Sequence, residues 1–113
     1  MQGAIESMSS RRDPDELRRA ALVFKSLSHP ARLEIACRLA EASATQKELV
    51  AAMGLPQSSM ARLLVPLRDL GLVSGERRGP EIELSVGSPI IRQLVESVCA
   101  WLHQDVPGAG ERP

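Results

Sequence analysis

Between Thr45 and Val73 the chain reads TQKELVAAMGLPQSSMARLLVPLRDLGLV, two helical patterns separated by a short turn. Thr45 and Glu48 have the spacing of a capping box, in which each side chain accepts a hydrogen bond from a backbone N–H at the start of a helix. This helix is predicted to end at Gly54, because glycine readily adopts the left-handed conformation found at helix ends. A tight turn follows at residues 54–56.

The second helical pattern extends from Gln57 to Leu70 and stops at Gly71. Its apolar residues recur at helical spacing: Met60, Leu64, Leu67 and Leu70. Two helices joined by a short turn that contains glycine form a helix-turn-helix. Pro66 lies inside the second helix and cannot donate a hydrogen bond to the carbonyl of Arg62, so we expect a kink or a change of helix direction there.

The residues that follow have the alternation of a β-hairpin, here called the wing. An extended segment begins at Leu72-Val73, and residues 77–80, RRGP, indicate a turn. Polar residues then alternate with Ile82, Leu84 and Val86, as in a half-buried strand. Ser88-Pro89 begins a last helix. Its apolar face consists of Ile91, Leu94, Val95, Val98, Cys99 and Leu102.

Two further helices are predicted before the helix-turn-helix. Asp13-Pro14 with Glu16 marks the start of an amphipathic first helix, which Ser28-His29-Pro30 interrupts. The second helix extends to about Glu41, and His29 belongs to its cap. The predicted fold is therefore mainly α, a winged helix-turn-helix with five helices and a two-stranded β-hairpin wing. We expect one domain at residues 13–104, between flexible tails at residues 1–12 and 105–113.

Composition excludes several classes of function. The 113 residues contain one phenylalanine, one tryptophan and no tyrosine, so the aromatic platforms of single-strand and RNA binders are absent. Basic and acidic side chains cancel, so any DNA contact must come from a locally basic surface. Enzyme motifs such as a phosphate-binding loop are absent, and we expect neither catalysis nor a cofactor. Without a signal peptide or a membrane-spanning run, the expected location is cytoplasmic.

The segment from Phe24 to Cys37, FKSLSHPARLEIAC, resembles the LSDPTRLRIL segment of ArsR/SmtB-family transcriptional repressors. Further matches fall in order where that family has ELA…LGLSQSTVSRHLKVLREAGLV…RREG. They are Glu48-Leu49, Gly54-Leu55, Gln57-Ser58-Ser59, Leu67-Arg68, Gly71-Leu72-Val73 and Arg77-Arg78-Gly79. The resemblance covers roughly residues 15–103, nearly the whole chain.

This resemblance implies a homodimer, held by the first and last helices, that binds double-stranded operator DNA with twofold symmetry. The apolar face of the last helix independently favours a dimer, because a domain this small cannot cover it alone. The DNA-binding residues implied by the resemblance are Gln57, Ser58, Ser59 and Arg62 in the recognition helix and Arg77 and Arg78 in the wing. Between Gln57 and Gly79 four arginines outnumber two carboxylates, a modest local charge of +2.

Leu63 and Val65 stand where the family usually has polar or basic residues. They could contact thymine methyl groups, pack on another part of the chain, or indicate an altered DNA surface. Together with the zero net charge, they leave a second class of function open, a winged-helix protein-interaction module without direct DNA readout. Salt dependence separates the two classes, because only binding to several phosphates weakens steeply as salt rises.

Cys37 and Cys99 are the candidate redox-sensing residues. The position of Cys37 resembles that in the persulfide- and redox-responsive branch of the family, which has a second cysteine near the end of the last helix. Cys99 lies about one helical turn, ~5.4 Å, earlier than in that branch. A link between the two thiols would tie the second helix to the last one. The alternative is that both cysteines simply pack as small hydrophobic residues.

Metal sensing is the weaker hypothesis. The third helix has no cysteine, whereas Glu96, Cys99 and His103 share a face of the last helix and could bind zinc together with a dimer mate. In most proteins the residues of such a triplet pack against neighbours or face water and do not bind a metal. The favoured function is therefore a dimeric repressor released from its operator by an inducer, with a thiol oxidant or reactive sulfur preferred over a metal ion.

Overall fold

The computed structural model describes residues 13–104, and the tails predicted at residues 1–12 and 105–113 lie outside the described residues. Five helices and three strands lie within this range. In chain order they are α1 (Pro14–Leu27), α2 (Pro30–Glu41), β1 (Ala44–Thr45), α3 (Gln46–Met53), α4 (Gln57–Asp69), β2 (Val73–Arg78), β3 (Glu81–Val86) and α5 (Pro89–Leu102). The predicted order of helices, helix-turn-helix, hairpin and last helix is confirmed.

Side-chain caps begin the helices where the sequence predicts them. The Asp13 carboxylate accepts from the Asp15 N–H at 2.8 Å, and His29 Nδ1 accepts from the Ala31 N–H at 3.1 Å. Thr45 and Glu48 form the predicted capping box, with bonds of 3.1 and 2.8 Å. Each cap satisfies a backbone donor that has no partner inside its helix.

The sheet is antiparallel, in the order β1-β3-β2. The predicted hairpin of β2 and β3 is confirmed, but the sheet also contains β1, where Ala44 pairs with Leu84. The turn of the hairpin has fewer residues than the predicted residues 77–80. Arg77 and Arg78 are the last residues of β2, and the chain turns at Gly79–Pro80, where Gly79 has a φ of 62°.

The core lies between α2, α3, α4, the base of the sheet and α5. It consists of Ile35, Ala36, Leu39, Ala40, Leu49, Met60, Leu64, Leu67, Leu72, Val73, Leu84, Val86 and Val95. The predicted half-buried strand is correct for Leu84 and Val86 and wrong for Ile82, which is 38% exposed. Ile82 pairs with Arg77 near the end of the wing, so the hairpin extends past the core before it turns.

Large apolar side chains on α1 and α5 are open to solvent. They are Leu17, Leu22, Phe24, Ile90, Val98, Trp101 and Leu102, and we call this set the α1/α5 face. Phe24, the one phenylalanine of the chain, is 62% exposed. A small apolar cleft of about 170 Å³ runs between the two helices, next to Phe24 and Val98. No helix among residues 13–104 is long and apolar enough to cross a bilayer.

Pro66 lies within α4, which continues to Asp69, and the Leu70 N–H donates to the Pro66 carbonyl at 3.0 Å. The proline therefore does not end the helix, although it leaves the Arg62 carbonyl without its helical donor.

We expect Pro66→Ala to raise the free energy of unfolding by about 1–3 kcal/mol. Thermal or urea denaturation measures this. An unchanged or lower stability would mean that the proline ring contributes packing that outweighs the missing hydrogen bond.

Candidate DNA interface and thiol pair

One face of α4 is open to solvent. Ser58, Ala61, Arg62 and Val65 are all exposed, and Ala61 and Arg62 each lie three or four residues from both Ser58 and Val65. Ser59, by contrast, is half-buried and lines a cleft between α4 and the start of α2, together with His29 and Arg32. Of the four residues predicted to contact DNA from this helix, Ser58 and Arg62 therefore share the open face.

Leu63 and Val65 lie in different environments. Leu63 is half-buried, packs against the core and lines the cleft next to Ser59. Val65 is 56% exposed, on the same face as Arg62. Packing within the chain thus accounts for Leu63 but not for Val65.

Gln57 lines a groove of about 500 Å³ between the start of α3, the start of α4 and the wing. Lys47 lines the same groove and is exposed, so it adds a cation that the sequence analysis missed. Its position two residues after the Thr45 cap was the available signal, because it places Lys47 in the first turn of the first helix of the helix-turn-helix. The groove also contains Glu81, which offsets this charge.

The two wing arginines have different partners. Arg78 Nε lies 2.9 Å from Glu83 Oε1, and the other carboxylate oxygen of Glu83 accepts from Ser43 Oγ at 2.9 Å. Arg77 makes one long hydrogen bond of 3.4 Å, from Nη1 to the Gly79 carbonyl. Because the Arg78 side chain is 67% exposed, water screens this ion pair and its contribution to stability is small. Arg77 is the more available of the two for a contact outside the chain.

Backbone contacts fix the wing on the helix-turn-helix. The Leu72 N–H donates to the Leu67 carbonyl at 2.8 Å, and the Gly87 N–H donates to the Leu72 carbonyl at 2.8 Å. A Cβ on Gly75 would lie 2.8 Å from Ile82 Cγ2 and 3.1 Å from Arg68 Nη2, so a larger residue there would displace one of these side chains. The wing and α4 therefore keep a defined relative position.

The two cysteines meet between α2 and α5. Cys37 Sγ and Cys99 Sγ are 2.7 Å apart, although the residues are separated by 62 positions in sequence. The distance is longer than the ~2.05 Å of a disulfide bond, and both residues are free thiols. Both are half-buried against the core. A second contact between these helices is the hydrogen bond from the Arg92 guanidinium to the Ala40 carbonyl.

The thiols border an open cavity of about 780 Å³ with an acidic rim. Besides the two thiols, its titratable lining consists of Glu34, Arg38, Glu41, Glu96 and His103. Arg38 is already paired with Glu34, at 2.9 Å between Nε and Oε2. Glu41 and Glu96 line the same cavity, and no ion pair found among residues 13–104 includes either carboxylate.

The pKa of the Cys37 thiol is raised from 9.0 to about 12, and burial is the largest cause. The hydrogen bond to Cys99 and the negative charges of Cys99, Glu41 and Glu34 contribute to the same rise. All these causes disfavour the thiolate. The folded chain therefore holds the Cys37 proton more tightly than the unfolded chain does. As pH rises above 9.0 towards about 12, the unfolded chain loses this proton first, and the free energy of unfolding falls.

We expect alkylation of Cys37 by iodoacetamide in the folded, reduced protein to be roughly a thousandfold slower at pH 7 than in the unfolded chain, because only the thiolate reacts. The rate should rise about tenfold per pH unit to pH 11 without a plateau. Mass spectrometry of the Cys37 peptide measures it. Cys99→Ala, which removes both the hydrogen bond and the charge at position 99, should speed the reaction. A plateau near pH 9 would contradict the raised pKa.

The proposed metal ligands do not form a site within one chain. Glu96, Cys99 and His103 line the cavity, but residues 13–104 contain no group of three or more His, Cys, Asp or Glu side chains arranged to hold a metal ion. His103 is the C-terminal cap of α5, which puts it at the end of the helix. The paired thiols are therefore the more complete arrangement in this cavity.

An exposed recognition helix, an anchored wing and five helices around one core define a winged helix-turn-helix regulator. Comparisons support this class. The chain is 32% identical over 80 residues to the biofilm growth-associated repressor of Agrobacterium fabrum, covering 71% of this chain and 68% of that protein. No protein-family model matches the chain.

Two solved structures show the same fold. The repressor BigR from Xylella fastidiosa superimposes with a TM-score of 0.72 at 28% identity, covering 88% of this chain and 97% of that one. The homodimeric winged helix-turn-helix domain of Mb0332 from Mycobacterium bovis gives 0.74 at 25% identity, with coverages of 84% and 90%. The chain belongs to the ArsR/SmtB family of helix-turn-helix transcriptional regulators. It is a DNA-binding regulator and not an enzyme.

Proposed function

We propose that this chain is a dimeric repressor that binds operator DNA through α4 and the wing and is released when Cys37 and Cys99 become linked. The observation that carries this proposal is the 2.7 Å separation of the two sulfur atoms across α2 and α5. At that distance a bond requires only a small movement, whereas distant cysteines would have to rearrange the backbone. The inducer is a thiol oxidant or reactive sulfur species.

The dimer would form through the α1/α5 face. Seven large apolar side chains are exposed on these two helices, more than a small monomeric domain usually leaves in contact with water. A second copy offers the same apolar surface, as a twofold interface requires. Mb0332, which shares this fold, is described as homodimeric. A dimer would present two copies of α4 to successive turns of the major groove.

The residues proposed to contact DNA are Gln57, Ser58, Ser59 and Arg62 on α4 and Arg77 and Arg78 at the end of β2. Arg62 suits guanine and Gln57 suits adenine, because each can make two hydrogen bonds to the base edge. The wing arginines would contact phosphates. Ser59, which lies in the cleft beside His29, would reach the DNA backbone rather than a base.

The switch would act through the helices that the cysteines join. With a hydroperoxide, one thiol is oxidised to a sulfenic acid as the peroxide is reduced. Attack by the second thiol then forms the disulfide and releases water. The resulting bond would fix α5, part of the α1/α5 face, to α2, which packs on α4.

Three measurements on the full chain test this proposal. Sedimentation should give a dimer, and the reduced dimer should bind its own upstream DNA with an affinity that falls steeply with salt. After treatment with a hydroperoxide or a persulfide, mass spectrometry should find a Cys37–Cys99 linked peptide. Cys37→Ser and Cys99→Ser should each prevent the link. DNA binding that is insensitive to salt, or absent, would favour a protein-interaction module instead.

A further inference from the structure

Val65 differs from the other exposed apolar residues in its position. Outside α1 and α5, the large apolar side chains that are exposed among residues 13–104 are Val65 and Ile82. Val65 belongs to α4, so the α1/α5 face does not include it. It occurs instead on the helix face that carries Ser58 and Arg62.

The spacing along α4 places Val65 in line with the other exposed residues. Ser58, Arg62 and Val65 follow at four and three residues, with Ala61 beside them. The rise from Arg62 to Val65 is about 4.5 Å, a little more than the ~3.4 Å between stacked base pairs. A base contacted by Val65 would therefore lie within one or two base pairs of the base contacted by Arg62.

Thymine is the base that an exposed valine fits. Its 5-methyl group is the apolar feature of the major groove, and apolar side chains contact it without needing a hydrogen bond. Val65 is also stiff, because a β-branched side chain has one strongly preferred rotamer in a helix. Its methyl groups are thus held in place before DNA binds, and ordering them costs little entropy.

We propose that Val65 recognises the 5-methyl group of a thymine within one or two base pairs of the Arg62 contact. This inference rests on the proposed binding of operator DNA by α4. It assigns a specificity role to a position that lacks any hydrogen-bonding group. Ala61, the small neighbour on this face, leaves room for the base edge to approach.

The test compares thymine with uracil, which differs only in lacking the methyl group. Operator sites are first selected from random duplex DNA with the full reduced chain. Each thymine of the selected site is then replaced by deoxyuridine, one at a time. At one thymine per half-site we expect affinity to fall about three- to tenfold. The other thymines serve as internal controls.

Val65→Ala shows whether this loss belongs to Val65. The variant should bind the thymine site more weakly than the natural chain and should no longer distinguish thymine from uracil at that position. A valine-to-alanine change on an exposed helix surface leaves folding intact, and circular dichroism verifies it. If DNA is selected but no uracil substitution matters, or if the loss persists in Val65→Ala, the inference is wrong while operator binding stands. If no DNA is selected, both fail.

Discussion

Arg62→Ala should lower the affinity of the protein for its operator about 5- to 150-fold and relax the base preference at one position of each half-site. Arg62 is exposed on the open face of α4, one turn after Ser58. A guanidinium in this position can donate two hydrogen bonds to guanine, and alanine leaves those acceptors without partners. Gel-shift or fluorescence titrations at one salt concentration measure the change.

The matched control is Arg18→Ala. Arg18 lies on α1, where it pairs with Asp15 at 2.7 Å and is largely exposed, so the same charge is lost away from α4. Its effect on operator affinity should be small and should not depend on the DNA sequence. Equal losses for the two variants would mean that Arg62 acts only through net charge, and the base-contact role would be wrong.

Gly87→Ala should destabilise the fold by about 3 kcal/mol or more. A Cβ on Gly87 would lie 1.9 Å from the carbonyl oxygen of Gly71 and 2.9 Å from its carbonyl carbon, both backbone atoms. The strand end or the turn after α4 must therefore move, and the bond from Gly87 to Leu72 lengthens or breaks. This hydrogen bond anchors the wing. The variant molecules that remain folded should therefore also bind DNA more weakly than the natural chain.

Gly54→Ala is the comparison that separates a clash from backbone strain. Gly54 has a φ of 65°, and an added Cβ would have no atom within 4 Å. Alanine there should cost about 1–2 kcal/mol, from the left-handed conformation alone. Urea denaturation of both variants gives the two free energies. If Gly87→Ala proved no more destabilising than Gly54→Ala, the close packing of Gly71 and Gly87 would be disproved.

Features set by neighbouring residues could be predicted from the sequence. The caps at Asp13, His29 and Thr45 use partners two or three positions away, so the local sequence contains both halves of each hydrogen bond. The pair between Glu34 and Arg38, at 2.9 Å between Nε and Oε2, is equally local, because its two residues lie one helical turn apart. Helix order and the helix-turn-helix follow from these local signals.

Features that depend on distant residues could not be predicted in this way. Strand β1 has only two residues, too few for an alternating pattern, and exists because Ala44 and Thr45 lie beside β3. The alternation of the wing correctly indicated a strand, but it could not show that Ile82 lies past the core. The requirement for glycine at position 87 comes from the Gly71 carbonyl, which only the folded chain brings near.

For the candidate site too, some features could be predicted from the sequence and others could not. The resemblance to a family supplied Arg62 and the wing arginines, but only the structure distinguishes Arg77 from the ion-paired Arg78. It also separates Leu63, which packs inside, from Val65, which faces outward. The approach of Cys37 and Cys99 depends on how α5 packs against α2. Because the two residues are 62 positions apart, no local sequence pattern predicts that packing.

The central claim is that a Cys37–Cys99 link controls binding of operator DNA. The most direct test titrates the reduced and the hydroperoxide- or persulfide-treated protein against its upstream DNA and determines the Cys37 and Cys99 peptides of each sample by mass spectrometry. We expect the linked protein to bind about 5- to 150-fold more weakly, the usual range of allosteric coupling, and Cys37→Ser to bind equally well before and after treatment. Full operator affinity in a sample whose cysteines are linked would contradict the account.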